Sequence, residues 1–152
     1  MRIIAFSDVH RQTGKLFEII EKHPEADLFL NCGDSAEEVD DVQTFHRNIK
    51  IRSVCGNCDW NCSFPNELLF DFAGKKFFAA HGHTYCVKHG LERIKKRAAQ
   101  LGADICVFGH THIPMCRREN DVFYFNPGAV LDGVYGIIDI VDSQIICINA
   151  KL

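Results

Sequence analysis

The sequence predicts an α/β fold of two packed, mixed β-sheets with helices outside, and three observations carry that reading. The first half alternates near-continuous apolar runs with amphipathic helical segments, the pattern of parallel strands covered on both faces. The second half carries hairpin signals between paired strand-like runs. Five of the apolar runs end in residues of metal-ligand type, about 25 residues apart, close to the length of a strand plus its return connection.

Taken in order, residues 2–7 read as a buried strand. Residues 14–23 (GKLFEIIEKH) form a short amphipathic helix with Leu16, Ile19, Ile20 and His23 on one side. Residues 27–32 are a second strand, and 36–47 a helix whose early turns carry acidic residues where the dipole favours them. Residues 50–55 form a third strand. ELLFDF and KKFFAAH flank Ala73-Gly74, a hairpin turn in which Gly supplies a positive φ. Residues 90–101 are an amphipathic helix that stops at Gly102, and DICVFG is again a strand. Two antiparallel hairpins follow, turning at Glu119-Asn120-Asp121 and at Asp142-Ser143-Gln144. The apolar C-terminal hairpin either completes the sandwich or offers a homodimer face.

A length of 152 residues suits one domain, residues 1–152, with chain enough for a real core. Hydrophobic residues at 47%, charged residues at 24% and a net charge of −3 are those of an ordinary globular protein. No Lys/Arg run is long enough for a nucleic-acid footprint, so polymeric DNA or RNA is not an expected partner. The N-terminus opens directly on a strand without the features of a secretory signal. No apolar run approaches the ~20 residues that span a bilayer. A cytoplasmic location away from membranes is expected. In that compartment the eight cysteines are expected as thiols rather than disulfides. Cys55-x-x-Cys58-x-x-x-Cys62 resembles half of a zinc knuckle, but the chain offers no second paired motif to complete it.

The chemistry sits at the strand ends. Asp8 and His10 follow the first strand, Asp34 the second, Asn57 the third, His81 the run FFAA, and His110 with His112 the run ICVFG. Asp-x-His and His-x-His place both side chains on one side of an extended segment, so each pair can meet a metal from one piece of backbone. Asp34 has two carboxylate oxygens and can bridge two ions. Glycine precedes Asp34, Asn57 and His110, allowing tight backbone geometry just before the ligand. Taken singly, a strand-end Asp such as Asp34 is more often a helix cap, and Asn57 reads as a turn residue. Their coincidence at five strand exits is what points to a centre. Carboxylate and amide oxygens mixed with imidazoles suit a pair of hydrolytic divalent metals.

Asp8-x-His10, Gly33-Asp34, Gly56-Asn57-Cys58-Asp59, His81-Gly82-His83 and Gly109-His110-Thr111-His112 together resemble the five signature blocks of the calcineurin-like metallophosphoesterases. The compact length and the Asn126-Pro127-Gly128 turn are similar to the small prokaryotic YfcE-like phosphodiesterase branch. The resemblance implies an αββα sandwich with a dinuclear metal site at one edge of the sheets. It implies one ion on Asp8, His10, Asp34 and His112, and a second on Asp34, Asn57, His81 and His110. A water between them would attack phosphorus. Mn²⁺ is the first expectation for the metal, with Fe²⁺, Ni²⁺, Co²⁺ or Zn²⁺ open to the same ligands. The substrate implied is a small soluble phosphate ester, a diester before a monoester. A metal-binding scaffold resembling the retromer subunit of this family is the alternative.

One departure concerns proton transfer. Many relatives place His after the Asn of the third block, where this chain has Cys58. His83 and Asp59 are then the candidates to protonate the leaving group, and Asp59 could also hold an imidazole in the correct tautomer. Arg11 and Lys88 are nearby cations, Trp60 can wall the pocket, and His23, His46 and His89 read as structural.

Overall fold

Two five-stranded sheets pack face to face in the computed structural model, which describes residues 1–152. The chain runs β1 (Arg2–Phe6), α1 (Thr13–Lys22), β2 (Leu28–Asn31), α2 (Ala36–Phe45) and β3 (Ile51–Ser53). It continues with β4 (Glu67–Phe72), β5 (Lys75–Ala80), α3 (Glu92–Leu101) and β6 (Ile105–Phe108). It ends with β7 (Met115–Glu119), β8 (Val122–Asn126), β9 (Val134–Val141) and β10 (Gln144–Lys151). The first sheet has the order β10-β9-β1-β2-β3 and the second β4-β5-β6-β8-β7. Strands β1, β2 and β3 are mutually parallel, as are β5, β6 and β8. Hairpin partners close each parallel core antiparallel: β9 and β10 on one sheet, β4 and β7 on the other.

Alternation along the strands splits the apolar residues into three layers. Ile3, Ala5, Leu30, Phe77, Val107, Phe125 and Ile138 fill the space between the sheets. The opposite face of the first sheet (Ile4, Phe6, Phe29) is covered by Leu16, Ile19 and Ile20 of α1 and Val39 and Val42 of α2. The opposite face of the second sheet (Phe78, Ala80, Cys106, Phe108) is covered by Ile94 and Ala98 of α3. This is the αββα sandwich expected. Full burial of each large apolar side chain contributes about 1.5–3 kcal/mol. The C-terminal hairpin completes the first sheet, with Ile146 and Ile148 of the edge strand β10 left exposed. His23 closes α1, where its Nε2 meets Tyr135 Oη at 2.9 Å. No helix is long and apolar enough to cross a membrane.

The expectation of thiols throughout needs one correction. Cys55 and Cys62 are joined by a disulfide, and the other six cysteines are free. The Cys55 N–H donates to Pro65 O at 2.9 Å and closes the intervening loop on itself. The two Cα atoms stand 6.1 Å apart, a separation a disulfide spans without moving the backbone. A zinc knuckle is ruled out, since two of its three sulfurs bond each other.

Candidate metal centre

Every proposed ligand follows the C-terminal end of a strand in one of the two parallel cores, and the sheets bring these ends to one edge. Asp8 and His10 follow β1, Asp34 follows β2, Asn57 follows β3, His81 follows β5, and His110 and His112 follow β6. The means of convergence differs from the expected one. Strand alternation does not aim these pairs, because Asp8, His10, Asp34, His110 and His112 all adopt left-handed backbone, with φ of 56°, 46°, 56°, 66° and 61°. Asp and His tolerate this region better than most residues, and the tight turns swing their side chains back over the strand ends.

Two glycines permit the close approach. A Cβ on Gly56 would collide with the Asp34 carboxylate. One on Gly109 would collide with the Ser7 hydroxyl and stand 2.9 Å from Asp8 Oδ2.

The donor atoms face one another across short gaps. His112 Nε2 lies 3.1 Å from Asp8 Oδ1, and His10 Nε2 lies 3.8 Å from the same oxygen and 3.9 Å from Asp34 Oδ2. On the other side, His81 Nε2 lies 3.3 Å from Asp34 Oδ2, 3.2 Å from Asn57 Oδ1 and 3.2 Å from His110 Nδ1. Asp34 Oδ2 is thus the oxygen shared by two groups of donors. Its Oδ1 instead accepts the Cys58 N–H at 2.7 Å.

Supporting contacts fix which atom of each residue faces inward. His81 Nδ1 stands 2.8 Å from Cys32 O, a carbonyl that can only accept, so Nδ1 carries the proton and Nε2 is free as a ligand. Asp8 Oδ2 accepts the Ser7 hydroxyl at 2.6 Å and the His110 N–H at 3.0 Å. Asp8 Oδ1 is buried and accepts no hydrogen bond although His112 Nε2 lies 3.1 Å away, an arrangement that costs about 1–3 kcal/mol unless something positive faces it. A divalent cation fits that orphaned oxygen and the N/O donors around it.

The charges run the same way. Burial would raise the Asp34 pKa, but the hydrogen bond and charge of His81 and the Cys58 N–H outweigh it and hold the carboxyl well below its usual range. Burial would lower His81, yet Asp34 and Asp8 raise it. Burial and the neighbouring His81 charge push His110 down to about 4. Positive charge on His81 therefore disfavours a proton on His110. Burial and the Asp34 charge raise the Cys58 thiol.

The remaining candidates separate. His83 stands beside the centre, its ring 5.4 Å from that of His81 and 6.2 Å from that of His110. Burial and the His81 charge lower its pKa. Asp59 does not reach an imidazole. Its carboxylate accepts the N–H groups of Asp34 (2.8 Å), Ala36 (2.9 Å) and Gly56 (2.7 Å), so it clamps the loops after β2 and β3 together. Arg11, Glu37, Cys58 and Trp60 line an open cleft of about 300 Å³ that includes His10 and Asp34. Trp60 is 88% exposed there, with an indole face free for a ligand.

Three supporting residues were given no role in the site by sequence. Ser7 holds Asp8, Glu38 accepts the Arg11 N–H at 2.5 Å, and Asn126 Nδ2 donates to Gly109 O at 2.9 Å and Thr111 Oγ1 at 3.0 Å. A polar residue closing an apolar run was the available signal for Ser7, and the Asn126-Pro127-Gly128 turn was the signal for Asn126; Glu38 gave none.

The chain belongs to the calcineurin-like phosphoesterase superfamily, whose domain matches residues 1–141. It is 34% identical over 132 residues to the probable metallophosphoesterase YsnB of Bacillus subtilis (strain 168), covering 86% of this chain and 75% of that one. It is 29% identical over 117 residues to the phosphodiesterase YfcE of Escherichia coli (strain K12), covering 66% and 58% respectively. A predicted phosphoesterase of Streptococcus pneumoniae TIGR4 has the same fold, with a TM-score of 0.86 at 24% identity over 99% of this chain and 88% of that one. So does wild-type Vps29 of Entamoeba histolytica complexed with zinc, with a TM-score of 0.74 at 18% identity over 99% of each chain. Family and site together define a metallophosphoesterase domain with a candidate site for divalent metal.

Proposed function

We propose that this chain is a two-metal phosphodiesterase acting on a small phosphate ester. The observation that carries this reading is Asp34 Oδ2, 3.3 Å from His81 Nε2 and 3.9 Å from His10 Nε2, one oxygen between two sets of donors. Asp8, His10, Asp34 and His112 would hold one divalent ion, and Asp34, Asn57, His81 and His110 would hold the other. When bound, such a pair activates water and offsets charge on the phosphoryl oxygens. Mn²⁺ is the first metal to try, since mixed N/O donors accept it readily.

The chain's own residues position the reaction. Ser7 and the His110 N–H orient Asp8, the Cys32 carbonyl orients His81, and the Cys58 N–H orients Asp34. Arg11 and Lys88 add positive charge around the phosphate, and Trp60 offers an aromatic wall for an organic arm. His83 is the group to hand a proton to the leaving oxygen, provided the negative charge of a bound phosphate offsets the burial and His81 charge that lower its pKa. Asp59 holds the loops and moves no proton. A diester is favoured over a monoester because the fold supplies few cations beyond the ions, and a dianionic phosphate needs more of them. The likeness to a protein described as a phosphodiesterase supports the same choice.

The competing reading is a metal-binding scaffold, supported by the shared fold with Vps29. A complete set of seven ligand residues weighs against it. Hydrolysis of bis-p-nitrophenyl phosphate and p-nitrophenyl phosphate by chelator-stripped protein decides between them. Turnover restored by Mn²⁺ and faster on the diester is expected. Metal binding without turnover on either ester would favour the scaffold, and faster monoester turnover would reassign the substrate class.

A further inference from the structure

One donor beside the two ligand sets has no role in them. Cys58 Sγ, a ring nitrogen of His10 and a carboxylate oxygen of Asp34 all lie within 4.8 Å of one another. Metal–sulfur and metal–nitrogen bonds of ~2.3 and ~2.1 Å hold two donors at most ~4.4 Å apart, so side-chain shifts of under about 1 Å bring three atoms within that spacing onto one ion. The buried, unpartnered Asp8 Oδ1 faces the same space, 3.8 Å from His10 Nε2.

The sulfur is held in place. The Cys58 N–H is tied to Asp34 Oδ1, Asp59 pins the Gly56 N–H of the same turn, and the Cys55–Cys62 disulfide closes the loop around it. Asn57 Nδ2 donates to Cys58 Sγ at 3.2 Å, a contact that steadies negative charge on sulfur.

We propose that Cys58 is a thiolate ligand of the ion held by Asp8, His10, Asp34 and His112, and that it biases this position towards Zn²⁺, Co²⁺ or Fe²⁺ over Mn²⁺. The inference rests on the two-metal reading above and deepens it. As the sulfur–metal bond forms, the thiol proton passes to solvent, and nothing is oxidised or reduced. Thiolate is the softest donor available in the centre, and softness discriminates metals that geometry alone does not. The two positions then differ: one is entirely N/O-ligated, the other carries sulfur.

Cobalt(II) titration of chelator-stripped protein reads this bond without reference to activity, because cobalt–thiolate adds an intense near-ultraviolet charge-transfer band to the weaker visible d–d bands. Wild type should show both. Cys58→Ser should keep the d–d bands and lose the charge-transfer band, while Cys86→Ser and Cys116→Ser keep both. The Zn²⁺-to-Mn²⁺ affinity ratio should fall roughly 10–100-fold in Cys58→Ser. Bound cobalt lacking the charge-transfer band in wild type, or a band unchanged in Cys58→Ser, overturns the proposal and leaves the metal centre standing. Failure to bind cobalt at all, or d–d bands indifferent to Asp8→Asn, removes the metal centre and the proposal together.

Discussion

Apart from Asn61 and Cys86, non-glycine residues with left-handed backbone cluster in two regions of this molecule, for opposite reasons. At the hairpin turns it falls on Ala73, Asn120, Asp121, Asp142 and Ser143, with φ between 48° and 64°. There the strands' own twist calls for it, the residues lie in turns, and Asn, Asp and Ser are ordinary occupants. At the ligand edge it falls on Asp8, His10, Arg11, Asp34, His110 and His112, with φ between 46° and 66°. No hairpin twist requires it there. Each such residue costs about 1–2 kcal/mol relative to right-handed backbone, a cost the surrounding sandwich offsets. One conformation connects strands in the first region and aims the candidate ligands in the second.

Equivalent substitutions in the two regions should therefore diverge. The largest contrast lies between His10→Gly and Asn120→Gly. Both relieve left-handed strain, and both should leave thermal stability unchanged or raised by up to about 1 kcal/mol. Only His10→Gly should lose turnover, on the order of 10²-fold or more, read by diester hydrolysis alongside thermal melts. A similar fall in Asn120→Gly would erase the distinction between the regions.

A smaller contrast uses one methyl group. Gly109→Ala drives a Cβ into Ser7 and Asp8 and should cost about 1–3 kcal/mol together with most of the activity. Gly74→Ala, at a hairpin turn with φ of +73° and nothing within 4 Å, should cost about 1 kcal/mol and no activity. Denaturant melts of the two variants, paired with initial rates, measure both quantities.

Smallest in turnover chemistry, but sharpest for Asp59, is Asp59→Ala. Three backbone N–H groups lose their acceptor, so stability should drop by about 1–3 kcal/mol and metal affinity by roughly 10–100-fold. A variant of full stability whose only defect was slow hydrolysis of esters with poor leaving groups would restore the proton-donor role.

The sequence made the candidate ligand set legible because strand length, return length and residue type repeat together at five stations. Strand order within the two-sheet arrangement was less legible, since β9 and β10 join the first sheet only after the whole second sheet has been laid down. How the ligands are aimed was not legible at all. Asp8-x-His10 reads as strand alternation, whereas the chain leaves β-geometry before Asp8. Asp59 reads as chemistry because acids near metal blocks often are, but its partners are backbone groups that no side-chain pattern reveals. The Cys55–Cys62 bridge escaped notice because its geometry depends on a loop closing through Pro65. In each case the missing information was the path of irregular backbone between strand ends, which hydrophobic periodicity does not encode.

The central claim is that one edge of the sandwich holds two divalent ions sharing Asp34. Metal content per chain after equilibration with Mn²⁺, measured on wild type and Asp34→Asn with turnover recorded in parallel, tests it most directly. Two ions per wild-type chain are predicted, with at most one in Asp34→Asn and turnover lower on the order of 10³-fold. A single ion in wild type, or two ions bound with undiminished turnover in Asp34→Asn, would contradict it.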